Sequence, residues 1–172
     1  ISAAAYWPTP AGEGEGEGEG EVEVDSFAHS VLEMHLTLPT QGTETFTVSG
    51  PTTAEVFFSG VAGTAGDGDG NGLEEVHSQL VDMQMTGTSG LGPVTVHVNG
   101  AVPSLGIIEE QVNATLGTLD VAPFTPTGLA GSFFDVFFQV EVGGSVLHND
   151  QPLRLSATID HKPPSPGTEY LG

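Results

Sequence analysis

The sequence predicts an all-β protein, an antiparallel β-sandwich of about eight to ten strands with Greek-key or jelly-roll-like connections and an extended N-terminal strand. Three observations carry this prediction. Apolar residues recur at every second position in many short stretches, 25 glycines and 12 prolines separate those stretches, and no stretch shows a clear helical period. With 172 residues, of which 37% are hydrophobic, the chain is long enough for one domain with a substantial core.

Alternation defines the elements in chain order. Strands are predicted over residues 31–38, 44–49, 54–59, 94–98 and 133–142. The last of these has apolar side chains on both faces, which predicts a central position in the sheet. The predicted core consists of the inward-facing residues of these strands and of a final strand: Leu32, Met34, Leu36, Val94, Val96, Phe134, Val136, Phe138, Leu153 and Leu155.

Glycine-containing pairs predict where the chain reverses. Asn99-Gly100 is a strong signal for a two-residue hairpin, because both residues tolerate the positive φ of a type I′ turn. Gly143-Gly144 predicts another hairpin, and a turn is expected from Pro39 to Gly42. Residues 104–117 show mixed spacing of apolar residues, which leaves room for one short helix.

Composition divides the chain into an N-terminal extension (residues 1–25), a sandwich domain (26–162) and a Pro-rich extended tail (163–172). Within the extension, residues 12–25 read GEGEGEGEGEVEVD, a strict two-residue period. On a strand, this period places every acid on one face. A solvated linker is the alternative interpretation, because glycine is a poor strand former.

The charge balance is the most unusual property of the sequence. There are 23 acidic residues against two basic ones, Arg154 and Lys162, and the net charge is −21. Nucleic acid and anionic membranes should repel such a chain, and no apolar run approaches the length of a membrane span. The acids concentrate in the Gly-Glu tract and near Asp67, which favours local binding of divalent cations over general salt adaptation.

Residues 66–75, GDGDGNGLEE, are the clearest chemical signal. Acidic and amide side chains alternate with glycine, and oxygen ligands in a tight loop suit Ca²⁺. The first six positions from Asp67 match an EF-hand loop, but the twelfth is Ser78, so one of two nearby glutamates would have to replace the missing ligand. A polar loop without an ion is the alternative. The candidate Ca²⁺ ligands are Asp67, Asp69, Asn71, Glu74 and Glu75.

The sequence contains no recognisable catalytic pattern. The six histidines form no ligand-spaced pair on a helix, and there is no GxSxG motif and no Gly-rich phosphate loop. The absence of cysteine excludes disulfides and thiolate metal sites. We therefore expect no enzymatic activity and no organic cofactor.

Six blocks of the sequence stand out together: SFFDVFFQVEV (132–142), LHND (147–150), IDHKPPSPG (159–167), SGPTTAEVFF (49–58), DGDGNG (67–72) and LGPVTVHVNG (91–100). These blocks resemble a group of uncharacterised secreted bacterial β-rich proteins, over roughly residues 30–167. The resemblance implies a bacterial, secreted protein and no particular activity, and the Gly-Glu tract departs from the pattern of the group.

These observations favour an extracellular or cell-surface structural protein, a subunit of a filament or surface layer that self-assembles through its N-terminal strand. The first residue is Ile1, which we interpret as the result of signal-peptide removal. Val22 and Val24 are expected to dock on a neighbouring copy, with Tyr6 and Trp7 fixing the far end of the extension. The alternative is a calcium-dependent adhesion or carbohydrate-binding module.

Overall fold

The computed structural model describes residues 20–38 and 42–172, and within these ranges the regular secondary structure consists of nine strands and no helix. The all-β prediction is confirmed. Residues 104–117, which left room for a helix, instead begin with a strand. The strands are β1 (Val22–Leu38), β2 (Gly42–Phe57), β3 (Glu75–Ser89), β4 (Gly92–Val98), β5 (Ser104–Glu110), β6 (Ala130–Val136), β7 (Phe138–Val142), β8 (Ser145–His148) and β9 (Leu153–Ile159).

The nine strands form one antiparallel sheet centred on β3. β2 lies along one edge of β3, while β5 and β4 share the other edge, at residues 75–80 and 84–89. β4 and β5 both run opposite to β3, so together they act as one long interrupted strand. Outside β5 and β4, β6 pairs with β5 and β7 pairs with β4, so β6 and β7 form the next interrupted strand. β9 then pairs with β6 and β8 with β7, which adds one more interrupted strand. The connectivity is therefore an up-and-down meander of long strands, and the predicted Greek-key or jelly-roll order is not observed.

The Asn99-Gly100 hairpin prediction is wrong, because β4 and β5 both pair with β3 and not with each other. A local turn does form there, in which the Ala101 N–H donates to Asn99 Oδ1 at 3.0 Å. Phe137 fills the interruption from the neighbouring strand. Its carbonyl accepts from the Asn99 N–H at 2.7 Å, and its N–H donates to the Ser104 hydroxyl at 3.0 Å. Residues 99–103 therefore leave the sheet as a loop, and β5 continues in the same direction as β4.

The other glycine pair behaves as predicted. Gly143 and Gly144 have φ values of 58° and 78°, and they join β7 to β8 in a tight hairpin. Residues 133–142, expected to form one strand, are divided into parts of β6 and β7 at Phe137. Both parts are central, since β6 lies between β5 and β9, and β7 lies between β4 and β8.

One face of the sheet is buried. Val96 and Val136 have 0% of their surface exposed, and Phe138 has 3%. The described residues contain no helix or second sheet to cover this face, so the sheet must curl until its own strands cover one another. Leu32 of β1 and Leu155 of β9 come from opposite edges and pack against the same apolar cluster. The fold is therefore sandwich-like in its packing.

The predicted core residues are buried or pack against this cluster, with one exception. Leu153 is 42% exposed, so its assignment to the core is wrong. It is the first residue of β9, an edge strand of the described sheet. Beyond β9 the described residues place only the C-terminal segment, which pairs with Ser156 through Leu171 and leaves Leu153 largely exposed.

The predicted domain boundary at residue 25 is also wrong. β1 begins at Val22, and Glu21 extends the pairing, since its N–H donates to the Gly60 carbonyl at 2.8 Å and its carbonyl accepts from the Phe58 N–H at 2.9 Å. Residues 21–25 therefore belong to the sheet. Within the part of the chain that the structure describes, no helix has the length and apolarity that a membrane crossing requires.

Candidate functional site

Two long loops meet at one end of the sheet, residues 58–74 between β2 and β3 and residues 111–129 between β5 and β6. Thr64 and Thr118 form an isolated antiparallel bridge between them. Leu119 and Val121 of the second loop are fully buried in a second apolar cluster beneath the loops. This packing gives the loops a defined position over the end of the core.

Glu74, one of the predicted Ca²⁺ ligands, holds the two loops together. Its side chain is buried, and its two carboxylate oxygens accept the backbone N–H groups of Gly117 at 2.5 Å and Thr118 at 2.7 Å. Backbone amides thus occupy both oxygens. Glu74 is also not one of the three carboxylates, those of Asp69, Glu75 and Glu109, that lie close enough together to hold one cation.

Two further buried carboxylates support the same loop. Glu110 accepts the N–H groups of Glu74 and Asp120, both at 3.0 Å. Burial raises the pKa of Glu110, although these hydrogen bonds oppose the change. For Asp120, burial also acts to raise the pKa. Hydrogen bonds from the N–H groups of Ala114 and Thr115 and from the side chains of Thr115 and Thr125 together outweigh it, and the pKa is lowered. Ordinary acidic residues in the sequence thus become internal acceptors for loop amides.

The candidate cation site is formed by Asp69, Glu75 and Glu109, whose carboxylates can bring one oxygen each within 4.8 Å of one another. Asp69 is exposed, and the two glutamates are half-buried. Burial raises the pKa of Glu75, and the charges of Asp69, Glu109 and Asp67 raise it further. The carboxylates therefore repel one another, and a divalent cation would relieve this repulsion. Oxygen ligands of this kind are those that Ca²⁺ prefers.

Glu109 was missed by the sequence analysis, because it lies far from the GDGDGNG loop along the chain. It faces Glu75 in the antiparallel register of β5 and β3. Only knowledge of this strand pairing could have found it. The pattern of the sequence carries no separate signal for the residue.

Asp67 and Asn71 shape the loop from within. Asp67 accepts the N–H groups of Gly70 at 2.8 Å and of Asn71 and Gly72 at 3.0 Å. The Asn71 amide group donates to Asp69 Oδ2 at 3.1 Å and to Glu109 Oε1 at 3.0 Å. Of the five predicted ligands, two converge on the candidate site, two organise its loop, and one lies elsewhere.

Lys162 forms a separate buried charge cluster that the sequence analysis also missed. Its side chain is 0% exposed, and its Nζ lies 3.0 Å from Asp25 Oδ1 and 3.1 Å from Glu23 Oε2. The same Nζ lies 5.6 Å from the centre of the Phe58 ring. Burial raises the pKa of Asp25, although the hydrogen bond and charge of Lys162 oppose the change.

Arg154 is the other basic residue of the chain, and it is paired as well. It makes a bidentate contact with Asp135, at 2.8 and 2.6 Å, and its guanidinium lies 3.9 Å from the centre of the Phe133 ring. This ion pair lowers the pKa of Asp135. Every lysine and arginine in the chain therefore already has an acidic partner within the chain.

The predicted assembly residues are only partly within the described residues. Val22 and Val24 lie on β1 and are 48% and 56% exposed. Val22 is paired in register with Phe57 of β2, which is 37% exposed. Tyr6 and Trp7 lie outside the described residues.

These features define an all-β protein built on one curled antiparallel sheet, with a carboxylate-rich loop end and a buried amine–carboxylate cluster. No protein-family model and no curated protein sequence matches the chain. Its structure is similar to that of DynF from the dynemicin biosynthesis pathway of Micromonospora chersina, with a TM-score of 0.56 and 22% sequence identity. The match covers 82% of this chain and 61% of DynF. The likeness concerns the fold.

Proposed function

We propose that this chain is an extracellular structural protein whose copies assemble through the edge of β1, in a filament or a surface layer, without catalysing a reaction. The observation that carries the proposal is the pairing of β1. This strand is 17 residues long, and within the described residues its backbone partners lie in β2 alone. A long strand with one unpaired edge offers a row of N–H and C=O groups to another chain.

The apolar side chains of β1 support the same surface. Val22, Val24 and Val31 are all about half or more exposed, and Phe57 lies beside the first of them. The N-terminal strand, which includes the Gly-Glu tract of residues 12–25, was expected to link neighbouring copies. For residues 22–25 this prediction is wrong, because they pair with β2 of the same chain. We therefore assign the link between copies to the outer edge of β1. The remainder of that tract, residues 12–19, lies outside the described residues.

Charge sets a condition for this assembly. Each copy carries a net charge of −21, and both of its basic side chains are already paired internally. Two such copies repel each other unless cations lie between them. We therefore expect divalent cations to promote assembly and chelators to reverse it.

The assembly proposal predicts that the double substitution Val22→Ser and Val24→Ser weakens self-association and leaves the fold intact. Both side chains are half-exposed, so their loss removes contact area from a partner more than from the core. Sedimentation velocity in the presence of divalent cations would measure the change. The matched control is Val146→Ser, which removes a similarly exposed valine (60% exposed) from β8, a strand that does not pair with β1.

Truncation offers a second test of the same proposal: deletion of residues 1–19 leaves β1 whole, so the shortened chain should still assemble. The deletion should end at residue 19, because a longer one removes residues that pair with β2. If the full chain stays monomeric at all cation concentrations, or if the valine variants and the control assemble equally well, β1 is not the assembly surface.

A calcium-dependent adhesion or carbohydrate-binding module is the second candidate function, and the convergence of Asp69, Glu75 and Glu109 favours it. Replacing Glu75 with Gln should weaken Ca²⁺ binding by about tenfold or more, since one of three charged ligands is lost. Isothermal calorimetry would measure this. The control, Glu141→Gln, alters an exposed acid on β7 and should leave the Ca²⁺ affinity unchanged. Absence of a Ca²⁺ heat in the unmodified protein would exclude this function.

The raised pKa of Glu75 gives the calcium site a pH dependence of definite sign. Protons compete with Ca²⁺ for this carboxylate, so the affinity should fall as the pH is lowered through the raised pKa. Without Ca²⁺, a carboxyl group whose pKa is higher in the folded state contributes stability at low pH and loses it as the pH rises. In thermal melts without Ca²⁺, the Tm of the Glu75→Gln variant should therefore not show this fall as the pH rises. If the variant and the unmodified protein have the same dependence of Tm on pH, the prediction is wrong.

A further inference from the structure

The position of Lys162 is unusual for a lysine. Its ammonium is fully buried and lies beside two carboxylates, those of Asp25 and Glu23. Asp25 is itself almost fully buried, with 5% of its side chain exposed. Moving an ammonium and a carboxylate out of water carries a desolvation cost that an ion pair offsets only in part. A covalent bond between the two groups would remove both charges.

We propose that Lys162 and Asp25 form an intramolecular isopeptide bond, an amide between Lys162 Nζ and the side-chain carbonyl carbon of Asp25. The inference rests on the 3.0 Å approach of the two groups and on their shared burial. It does not depend on the assembly role proposed above. The bond would join the first strand of the sheet to the segment that follows the last strand.

The chemistry is a condensation that needs no oxidant and no co-reactant. The neutral amine of Lys162 attacks the carbonyl carbon of protonated Asp25, so a C–N bond forms. A C–O bond of the carboxyl group then breaks, and the oxygen leaves as water with two protons, one from the amine and one from the acid. One amine and one carboxylic acid thus give one amide and one water, and no atom changes its oxidation state.

Glu23 is placed to move the proton between the two groups. Its carboxylate lies 3.1 Å from the same Nζ, and its side chain is 35% exposed, so it reaches both the amine and solvent. As a base it can accept the ammonium proton, and as an acid it can return a proton to the departing hydroxyl. Asp25 is the acceptor of the bond because it is the more buried of the two, and its raised pKa favours the protonated form that reacts.

The surroundings favour the amide over its hydrolysis. The Phe58 ring lies near Nζ, and Ile159, at the end of the strand before Lys162, is buried in the same apolar region as Phe58. Two groups held in contact react as if at very high concentration, and the burial of Lys162 and Asp25 limits the access of water to the amide for the reverse reaction. The chain has no cysteine, so this bond would serve as its covalent link between distant segments.

Intact-mass spectrometry of the denatured protein tests the proposal. The protein as it exists should weigh about 18 Da less than its sequence requires, the mass of one water lost in amide formation. Lys162→Met and Asp25→Ala should each restore the full mass of their sequences. Glu23→Gln should also have the full mass of its sequence, or should lose the 18 Da more slowly. Circular dichroism of this variant should show an unchanged strand signal, which excludes unfolding as the cause. The control Glu55→Gln, on β2 beside β1, should keep the mass deficit.

The lysine variant separates the proposed bond from other dehydrations. A succinimide at Asp25 would also remove one water, but it would persist in Lys162→Met. Fragmentation of a chymotryptic digest should show a peptide that contains both residues. The crosslink closes a loop of well over 100 residues, so its loss in Lys162→Met should lower Tm by roughly 10–20 °C. If the unmodified protein has the full mass of its sequence, and Lys162 can be acetylated after denaturation, the two residues form only an ion pair and the proposal is wrong.

Discussion

Replacing Phe138 with Ala is expected to lower the free energy of unfolding by about 3–5 kcal/mol. Phe138 is the first residue of β7 and is 3% exposed, and it belongs to the apolar cluster against which both edges of the curled sheet pack. Removing its ring leaves a cavity that the paired strands on either side cannot collapse to fill. Urea unfolding followed by circular dichroism would measure the loss.

The matched control for this experiment is Phe57→Ala. It removes the same ring from a strand of the same sheet, but Phe57 is 37% exposed, so the change should destabilise the protein much less. Equal losses for the two variants would mean that β7 does not lie at the centre of the core.

Replacing Glu74 with Ala is expected to lower the free energy of unfolding by about 1–3 kcal/mol, the cost of one donor left without a partner. The part-buried Gly117 N–H loses its acceptor, whereas the Thr118 N–H keeps a second one, the Thr115 carbonyl at 3.1 Å. The carboxylate of Glu74 accepts two backbone N–H groups, those of Gly117 and Thr118, and it is the contact that ties the second loop to the start of β3. Hydrogen exchange should show faster exchange at those two amides, and urea unfolding would give the total loss.

This substitution also separates structure from ion binding at the loop end. Since Glu74 lies outside the candidate cation site, its loss should reduce stability while leaving the Ca²⁺ response that depends on Glu75 in place. The control, Glu74→Gln, keeps one carbonyl acceptor and should recover part of the stability. If the Glu74→Ala variant is fully folded but calorimetry detects no heat of Ca²⁺ binding, Glu74 is a ligand and the assignment of the site must change.

The sequence by itself determined the class of the fold and most of its core. Alternation of apolar residues depends only on the two-residue repeat of a strand, so it identified the buried faces of β4, β6 and β7 correctly. The pair Gly143-Gly144 was equally readable, because the positive φ values of that turn are a local property.

Only the tertiary structure decided how the strands meet. Asn99-Gly100 has the local chemistry of a hairpin, but the Asn99 N–H donates to the Phe137 carbonyl, the Phe137 N–H donates to the Ser104 hydroxyl, and the chain continues along β3. Leu153 has the right period, but its position on the edge strand exposes it. Local patterns do not specify which strand lies alongside, and pairing depends on the sum of many distant contacts.

The candidate sites show the same division most clearly. The sequence located the acidic loop. The strand register adds Glu109 to the candidate site, and Glu74, a predicted ligand, is buried instead against the second loop. Lys162 and Asp25 are 137 positions apart in the chain and carry no shared motif. Curling of the sheet brings its first strand and the segment after its last strand together, and the side chains of Asp25 and Lys162 meet in a buried position. Burial and distance between remote residues are properties of the folded chain, and they decide which of its many acids lie next to one another or next to a basic group.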